Sequence, residues 1–307
     1  MSPEVFIILV NWNNYKDTKD CIESLLKIDY DNYNILVVDN GSEDDSYKKL
    51  YEEFSSSVSF IKNNENLGFS GGNNVGIKYA LKKGCDYVLL LNNDTIVDRL
   101  FLSELMTNME KDSRIVVSGS KVYYYSDANI IWFGGGKFNF FKSGTSVYGL
   151  NKNDTTKNEN VKEVDYISGC ALLVRSNIFS KIGLLDENFF NYGEDADFCL
   201  RAKRAGCKVV FVPSSKVWHK VASTMKGNFS PFYLYFQSKN RLLLVKKNFP
   251  KIYLIYAIFI HIFCYIPYKL FIVWLKKEKK LKASLSLFLG TYDFLMRNKS
   301  PRFFDRL

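Results

Sequence analysis

Three stretches of the 307-residue chain carry side chains whose types and spacing could do chemistry. In LLLNNDT (89–95), three leucines read as a buried strand, and Asn92, Asn93 and Asp94 emerge together at its end. Alternation along a strand sends Asn92 and Asp94 the same way, so two oxygen-bearing side chains can meet one hard cation. A polar turn is the plainer reading of the same residues. In GLLDENFFNYGEDADFCLRAKRAG (183–206), Glu194, Asp195 and Asp197 cluster at the start of an amphipathic helix whose apolar positions include Phe198 and Leu200. Acidic residues suit a helix N-terminus through the dipole, which is the bland explanation. Three carboxylates in four residues can also give one of them a raised pKa and a base role. VWHKVASTM (217–225) then supplies His219, one of only two histidines, placed after a strand where it can complete a site begun by Asp94.

Two further segments point to a ligand more weakly. VVDNGSEDDS (37–46) puts Asp39 at a strand end, followed by Asn40-Gly41 turn chemistry. A carboxylate there accepts hydrogen bonds from a ribose or a base, or equally from its own turn. NLGFSGGNNVG (66–76) is a glycine-rich turn opening a helix, which lets backbone approach a ligand and favours phosphate. It matches neither a P-loop nor GxGxxG.

The elements that must position these residues follow from hydrophobic pattern. Val5–Val10, Ile35–Val38, Val58–Ile61 and Tyr87–Leu91 are short β-rich runs, the mark of buried parallel strands. Between them, Cys21, Ile22, Leu25 and Leu26 repeat at helical spacing, as do Ile77, Ala80 and Leu81, with Gly84 as a stop. This alternation predicts a doubly wound α/β sheet that binds ligands at the carboxyl ends of its strands. Residues 1–110 are then a nucleotide half, and 111–225 an acceptor half with strands and loops over the sheet. In the latter, a strand is expected near Tyr166–Val174, helices near Ser176–Ile182 and Glu194–Ala205, and a closing strand at Val209–Val212.

Composition divides the chain again. Residues 226–307 carry 16 Lys/Arg against 3 Asp/Glu, whereas residues 1–225 carry 26 against 29. The basic excess therefore belongs to the tail, which also holds Ile252–Tyr268, 17 residues without a charge. Basic, apolar and aromatic together point to an anionic membrane surface at the cytoplasmic face; nucleic acid has no use for such an apolar run. With Lys269 and Pro267 inside the run and lysines on both flanks, a peripheral or re-entrant helix is expected rather than a simple span. A buried core helix is the alternative. Six well-separated cysteines without a CxxC pair suggest free thiols in a reducing compartment. MSPEVFIILVNWNN reads as a first strand, not a signal peptide.

VNWNN, VVDNGS, NLGFSGGNN, LLLNND, SGCALLVR and GEDADFCLRAKRAG, in this order, resemble the inverting family 2 glycosyltransferases of GT-A fold. Within that family the chain is similar to bacterial rhamnosyltransferases of surface-polysaccharide assembly. The resemblance covers roughly residues 5–225. It implies a donor site of Val10, Asn11, Asp39, Asn66, Gly68, Asn74, Asn92, Asn93 and Asp94. It makes Asp94 and His219 ligands of Mg²⁺ or Mn²⁺, Asp195 of the Glu194-Asp195 pair the general base, and puts Gly169 and Asp197 on the acceptor side. Asn92 departs from the family's DxD pattern, which implies a weakly held metal. QSKNR (237–241) is not the QxxRW of processive synthases, so a single transfer is expected. The implied reaction moves a sugar from dTDP-rhamnose or a UDP-sugar to a glycan or lipid-linked acceptor. The rival readings are a non-catalytic sugar-binding scaffold and a sugar-1-phosphate nucleotidyltransferase. The latter would show a glycine-rich basic loop where this chain has VNWNNYKD.

Overall fold

A computed structural model describes residues 2–155, 160–221, 230–276 and 280–296. The first half alternates β1 (Val5–Asn11), α1 (Tyr15–Leu25), β2 (Tyr33–Asp39), α2 (Ser46–Phe54), β3 (Ser59–Lys62), α3 (Gly68–Lys83) and β4 (Tyr87–Asn92). There follow β5 (Thr95–Val97), α4 (Phe101–Lys111), β6 (Ile115–Tyr124), β7 (Asp127–Phe133), β8 (Gly136–Asn139) and β9 (Gly144–Val147). Then come β10 (Lys152–Asn153), β11 (Lys162–Glu163), β12 (Ala171–Arg175), α5 (Ile178–Ile182), α6 (Glu194–Arg204) and β13 (Lys208–His219). The C-terminal part is helical: α7 (Pro231–Asn248), α8 (Lys251–Ile260), a π-turn (His261–Tyr265), α9 (Ile266–Lys276) and α10 (Lys280–Leu295).

The main sheet runs β10-β7-β6-β12-β4-β1-β2-β3, and β13 pairs with β6, β5 and β11. Strands β1, β2, β3 and β4 pair in parallel, while β12 lies antiparallel between β4 and β6. The chain steps outward from β1 to β3 and then returns to the far side of β1 as β4. That reversal leaves a crevice at the carboxyl ends of β1 and β4, where such sheets take their ligands. Burial explains the strand positions: Val5, Ile7, Ile8 and Leu9 have no exposed surface, and each side chain of this kind stabilises by about 1.5–3 kcal/mol. Helix α3 can lie close to the sheet because Gly72 and Gly76 face Val10 and Ile8, where a Cβ would come within 2.9 and 2.6 Å.

The chain divides into two compact units. One comprises Met1–Lys137, Ser146–Phe190 and Glu194–Ser223; the other Phe138–Thr145, Asn191–Gly193 and Thr224–Leu307. The expected boundary at residue 225 falls outside the described residues. Two short segments, 138–145 and 191–193, group with the C-terminal helices rather than with the sheet.

Several expectations change in detail. The strand expected from Tyr166 begins only at Ala171; Tyr166 itself makes one isolated bridge to Gly136. The closing strand runs on from Val212 to His219 across an irregularity between Val212 and Lys216, so His219 ends a strand instead of following one. In the tail, helix continues through Pro267. The Ile266 N–H bonds to the His261 carbonyl, five residues back, and this widened turn makes room for a residue without an N–H. Lys251–Leu275 is long and apolar enough to cross a membrane, by length and composition only.

Candidate active site

Parallel register sets Asn11 beside Asp39 at the ends of β1 and β2. The Asn11 amide donates to Asp39 Oδ1 at 2.9 Å, Ser42 Oγ donates to the same oxygen at 2.6 Å, and Ser42 N–H donates to Oδ2 at 3.1 Å. Asp39 is fully buried and has three of about four acceptor positions filled, two of them by Ser42 of its own turn. The turn-aspartate reading therefore accounts for most of its bonds. Thr18 Oγ1 lies 2.9 Å from Asn11 Oδ1 and accepts from the Asn93 amide at 2.6 Å. One polar chain thus ties the ends of β2, β1 and β4 through α1. Val10, in register with Asn92, stays half-buried at the crevice.

The glycine-rich turn behaves differently from a phosphate cradle. Gly68 has φ +71°, and a Cβ there would meet the Phe190 carbonyl at 2.3 Å. Phe69 N–H donates to Phe190 O at 2.8 Å, Gly68 N–H to Asn66 Oδ1 at 2.8 Å, and Leu67 N–H to Asn40 Oδ1 at 3.2 Å. These donors at the start of α3 are taken by protein, so the close backbone approach is to the loop before α6. Asn74 lies deeper on α3, its amide donating to Leu185 O and Glu187 Oε1, both at 2.9 Å. Asn66, Gly68 and Asn74 thus brace the crevice wall. Asn40, which sequence reasoning treated only as a turn residue, is the hub of that wall, also bonding Asn66, Gly68 and Asn63.

Beyond β4, Asp94 is 6% exposed and His219 7%. The antiparallel pairing of β13 with β5 sets His219 opposite Thr95 and brings His219 Nε2 to 2.9 Å from Asp94 Oδ1. The same nitrogen lies 3.3 Å from Asn92 Nδ2. Trp132 stands edge-on to the imidazole with centroids 4.6 Å apart, and Nδ1 is buried without a hydrogen bond. Burial opposes the imidazolium, but Cys170 and Asp94 beside it outweigh that and hold the pKa well above the usual histidine value. Trp132 and Cys170 carried no signal in the sequence.

Asp195 lies in the first turn of α6, half-buried, with Oδ2 accepting from Gly169 N–H at 3.0 Å and Oδ1 from Ala196 N–H at 2.7 Å. Cys170 O in turn accepts from Asn92 N–H at 3.0 Å, which links Asp195 through Gly169 and Cys170 to the end of β4. Burial raises the Asp195 pKa, and the two backbone donors oppose the rise. Burial and the adjacent Asp195 push Glu194 well above the usual carboxylate range, and its Oε2 has no hydrogen-bond partner. Asp197 does something else: it pairs with Arg201 at 2.8 Å, and Arg201 also reaches the carbonyls of Ile182 and Leu184. Through Arg201 it ties α6 to the segment before it.

Among the described residues no group of three or more His, Cys, Asp or Glu converges on a metal position. Asp94 and His219 nevertheless offer a carboxylate and an imidazole, donors that fit a divalent cation. An Nε2–H donated to Asp94 leaves no lone pair for the Asn92 amide, whose N and O are interchangeable in placement. A cation between them would satisfy the nitrogen, the carboxylate and an amide oxygen together. An imidazole in this set suits Mn²⁺ better than Mg²⁺.

The sheet order and this crevice define a GT-A fold, a class that handles nucleotide sugars. Residues 6–183 match the profile of Glycosyl transferase family 2, and the chain belongs to that family and is a glycosyltransferase. It is 26% identical over 252 residues to the low-salt glycan biosynthesis hexosyltransferase Agl10 of Haloferax volcanii, covering 82% of this chain and 78% of that protein. It is 23% identical over 260 residues to the dTDP-rhamnosyl transferase RfbF of Shigella flexneri, covering 81% and 82%. A mannosyltransferase of Pyrobaculum calidifontis, solved with GDP-mannose and Mn²⁺, superposes with a TM-score of 0.62 at 11% identity, over 97% of this chain and 88% of that one.

Proposed function

We propose that this chain transfers one sugar per encounter, with inversion, from dTDP-rhamnose or a UDP-sugar to a hydroxyl of a glycan or lipid-linked acceptor in cell-surface polysaccharide synthesis. The observation that carries this reading is the Asp195 carboxylate. It is half-buried, fixed by Gly169 N–H at 3.0 Å, and linked to the strand end that bears Asp94. An acceptor hydroxyl must lose a proton as it attacks, and a positioned carboxylate with a raised pKa contributes about 10²–10⁴-fold. Burial keeps Glu194 inclined to the neutral form, which limits like-charge repulsion beside the base. Asp94 and His219 would hold Mn²⁺ or Mg²⁺, which neutralises charge developing on the departing diphosphate. Asn11, Asp39, Thr18 and Asn93 hold the strand ends in register around the donor. A single displacement leaves no sugar bound to the enzyme.

The chain works at the cytoplasmic face of a membrane in this reading. Support comes from the basic tail and from Ile252, Phe259, Phe263, Phe271 and Trp274, all exposed on α8, the π-turn and α9. Incubation of the full chain with a panel of nucleotide sugars, with and without Mn²⁺, tests the transfer reading. Release of nucleoside diphosphate from a dTDP- or UDP-sugar is expected; no release from any donor would overturn it.

A further inference from the structure

Arg241 is the anomaly of the helical unit. It sits on α7, its guanidinium 4.5 Å from the centre of the Tyr265 ring, and its Nε is buried without a hydrogen-bond partner. Among the described residues no carboxylate pairs with it. The guanidinium crowds the backbone so closely that a Cβ at Gly144 would lie 2.6 Å from Nη1. Lys269, from α9, approaches the same Tyr265 ring at 5.6 Å, near enough that the two cations repel. A partly buried arginine without an acceptor, next to a second cation, is costly unless an anion completes it. The planar fork of arginine matches a phosphate in particular. The surroundings say what carries that phosphate, since Phe263 and Tyr268, each within three residues of Tyr265, are 64% and 60% exposed.

We propose that Arg241 and Lys269 bind the phosphate or diphosphate head of a lipid, whose apolar chain lies along the exposed face of α8 and α9. This rests on the lipid-linked acceptor in the reading above and supplies the part of that acceptor the enzyme grips. The Tyr265 ring steadies the guanidinium while leaving its N–H groups for phosphate oxygens. The head group supplies the acceptor that the protein withholds from Arg241.

Flotation of the full chain with phosphatidylcholine vesicles tests this, the vesicles containing farnesyl diphosphate, phosphatidate or charge-matched phosphatidylglycerol. Binding to the first or second should exceed binding to the third by about tenfold. Preference for the diphosphate marks an acceptor-like ligand, and equal binding to the first two marks a general lipid phosphate; both support the site. Arg241→Gln and Lys269→Gln should each remove the excess, with melting curves confirming folded protein, and Arg241→Lys should restore part of it. No excess over phosphatidylglycerol, or an excess that both Gln variants retain, overturns the proposal. Asp94→Ala separates the two readings: an excess lost there and kept in Arg241→Gln assigns the phosphate to the donor site and also overturns it. Failure of donor hydrolysis leaves this readout unaffected.

Discussion

His219 Nε2 and Asp94 Oδ1 lie 2.9 Å apart although 125 positions separate them, because β13 pairs antiparallel with the three-residue β5 that follows the Asn92–Asp94 turn. The contact is enclosed by Trp132 and by Cys170, so it has little water to compete with. In this position a carboxylate and an imidazole either share a proton or share a cation. Both depend on Asp94 first.

Asp94→Ala should therefore abolish transfer and weaken nucleoside-diphosphate binding by about 10²-fold or more. Asn92→Ala should do less, and His219→Ala should fall between. Calorimetry with and without Mn²⁺ checks the order; unchanged diphosphate affinity in Asp94→Ala would remove this residue from the donor site.

Asp195→Asn keeps the shape and the Gly169 bond but cannot accept a proton. It should lower kcat by at least about 10²-fold with donor affinity little changed. Asp197→Asn should do the reverse. It breaks a buried pair with Arg201, at a cost of about 3–5 kcal/mol in stability, while the folded fraction keeps its turnover. Steady-state kinetics and thermal melts on both variants separate the two roles, and equal kcat in wild type and Asp195→Asn would exclude the base assignment.

The raised pKa of Glu194 fixes the sign of a stability change. Folding favours its protonated form, so the contribution is fully present below the unfolded pKa of about 4.3 and is lost as pH rises through the folded value. Glu194→Gln should match wild type at about pH 4, below the unfolded pKa, and melt higher than wild type near pH 8. Melting curves across that range check it; a Gln variant that loses stability in step with wild type as pH rises would contradict the assignment.

Gly68→Ala faces both a positive φ of +71° and the Phe190 carbonyl at 2.3 Å. It should destabilise by more than about 1 kcal/mol, read by denaturant titration. A neutral effect would mean that α3 and the Phe190 loop are less tightly joined than their hydrogen bonds indicate.

The full chain should float with anionic liposomes, stay behind with neutral ones, and be released by alkaline carbonate. Replacing Phe259, Phe263 and Phe271 by serine should weaken that binding without disturbing the buried side of these helices.

The sequence made the parallel core legible because β1, β2 and β4 are continuous apolar runs, and each run breaks sharply into the polar residues Asn11, Asp39 and Asn92 at its end. Glu194, Asp195 and Asp94 stood out for the same reason. What stayed hidden depends on distant pairing. No local pattern announces that Asn40 holds Asn66, that Trp132 faces His219, or that Phe190 closes over Gly68. The glycines of 66–76 were legible as close-approach residues, but pattern cannot say whether the approaching group is a phosphate or the protein's own carbonyl. Pro267 likewise gave no hint of the π-turn that accommodates it.

The long reach of β13 has a consequence for how the molecule folds. Strands β1 to β4 can assemble from neighbouring segments, whereas His219 is placed by the pairing of β13 along β6 and with β5. Contacts of such sequence separation close late, because the intervening chain must already be ordered. During refolding, helical signal should return first and nucleotide binding last. The same order run backward makes loss of the donor site the first functional sign of local opening, ahead of any loss of the parallel core.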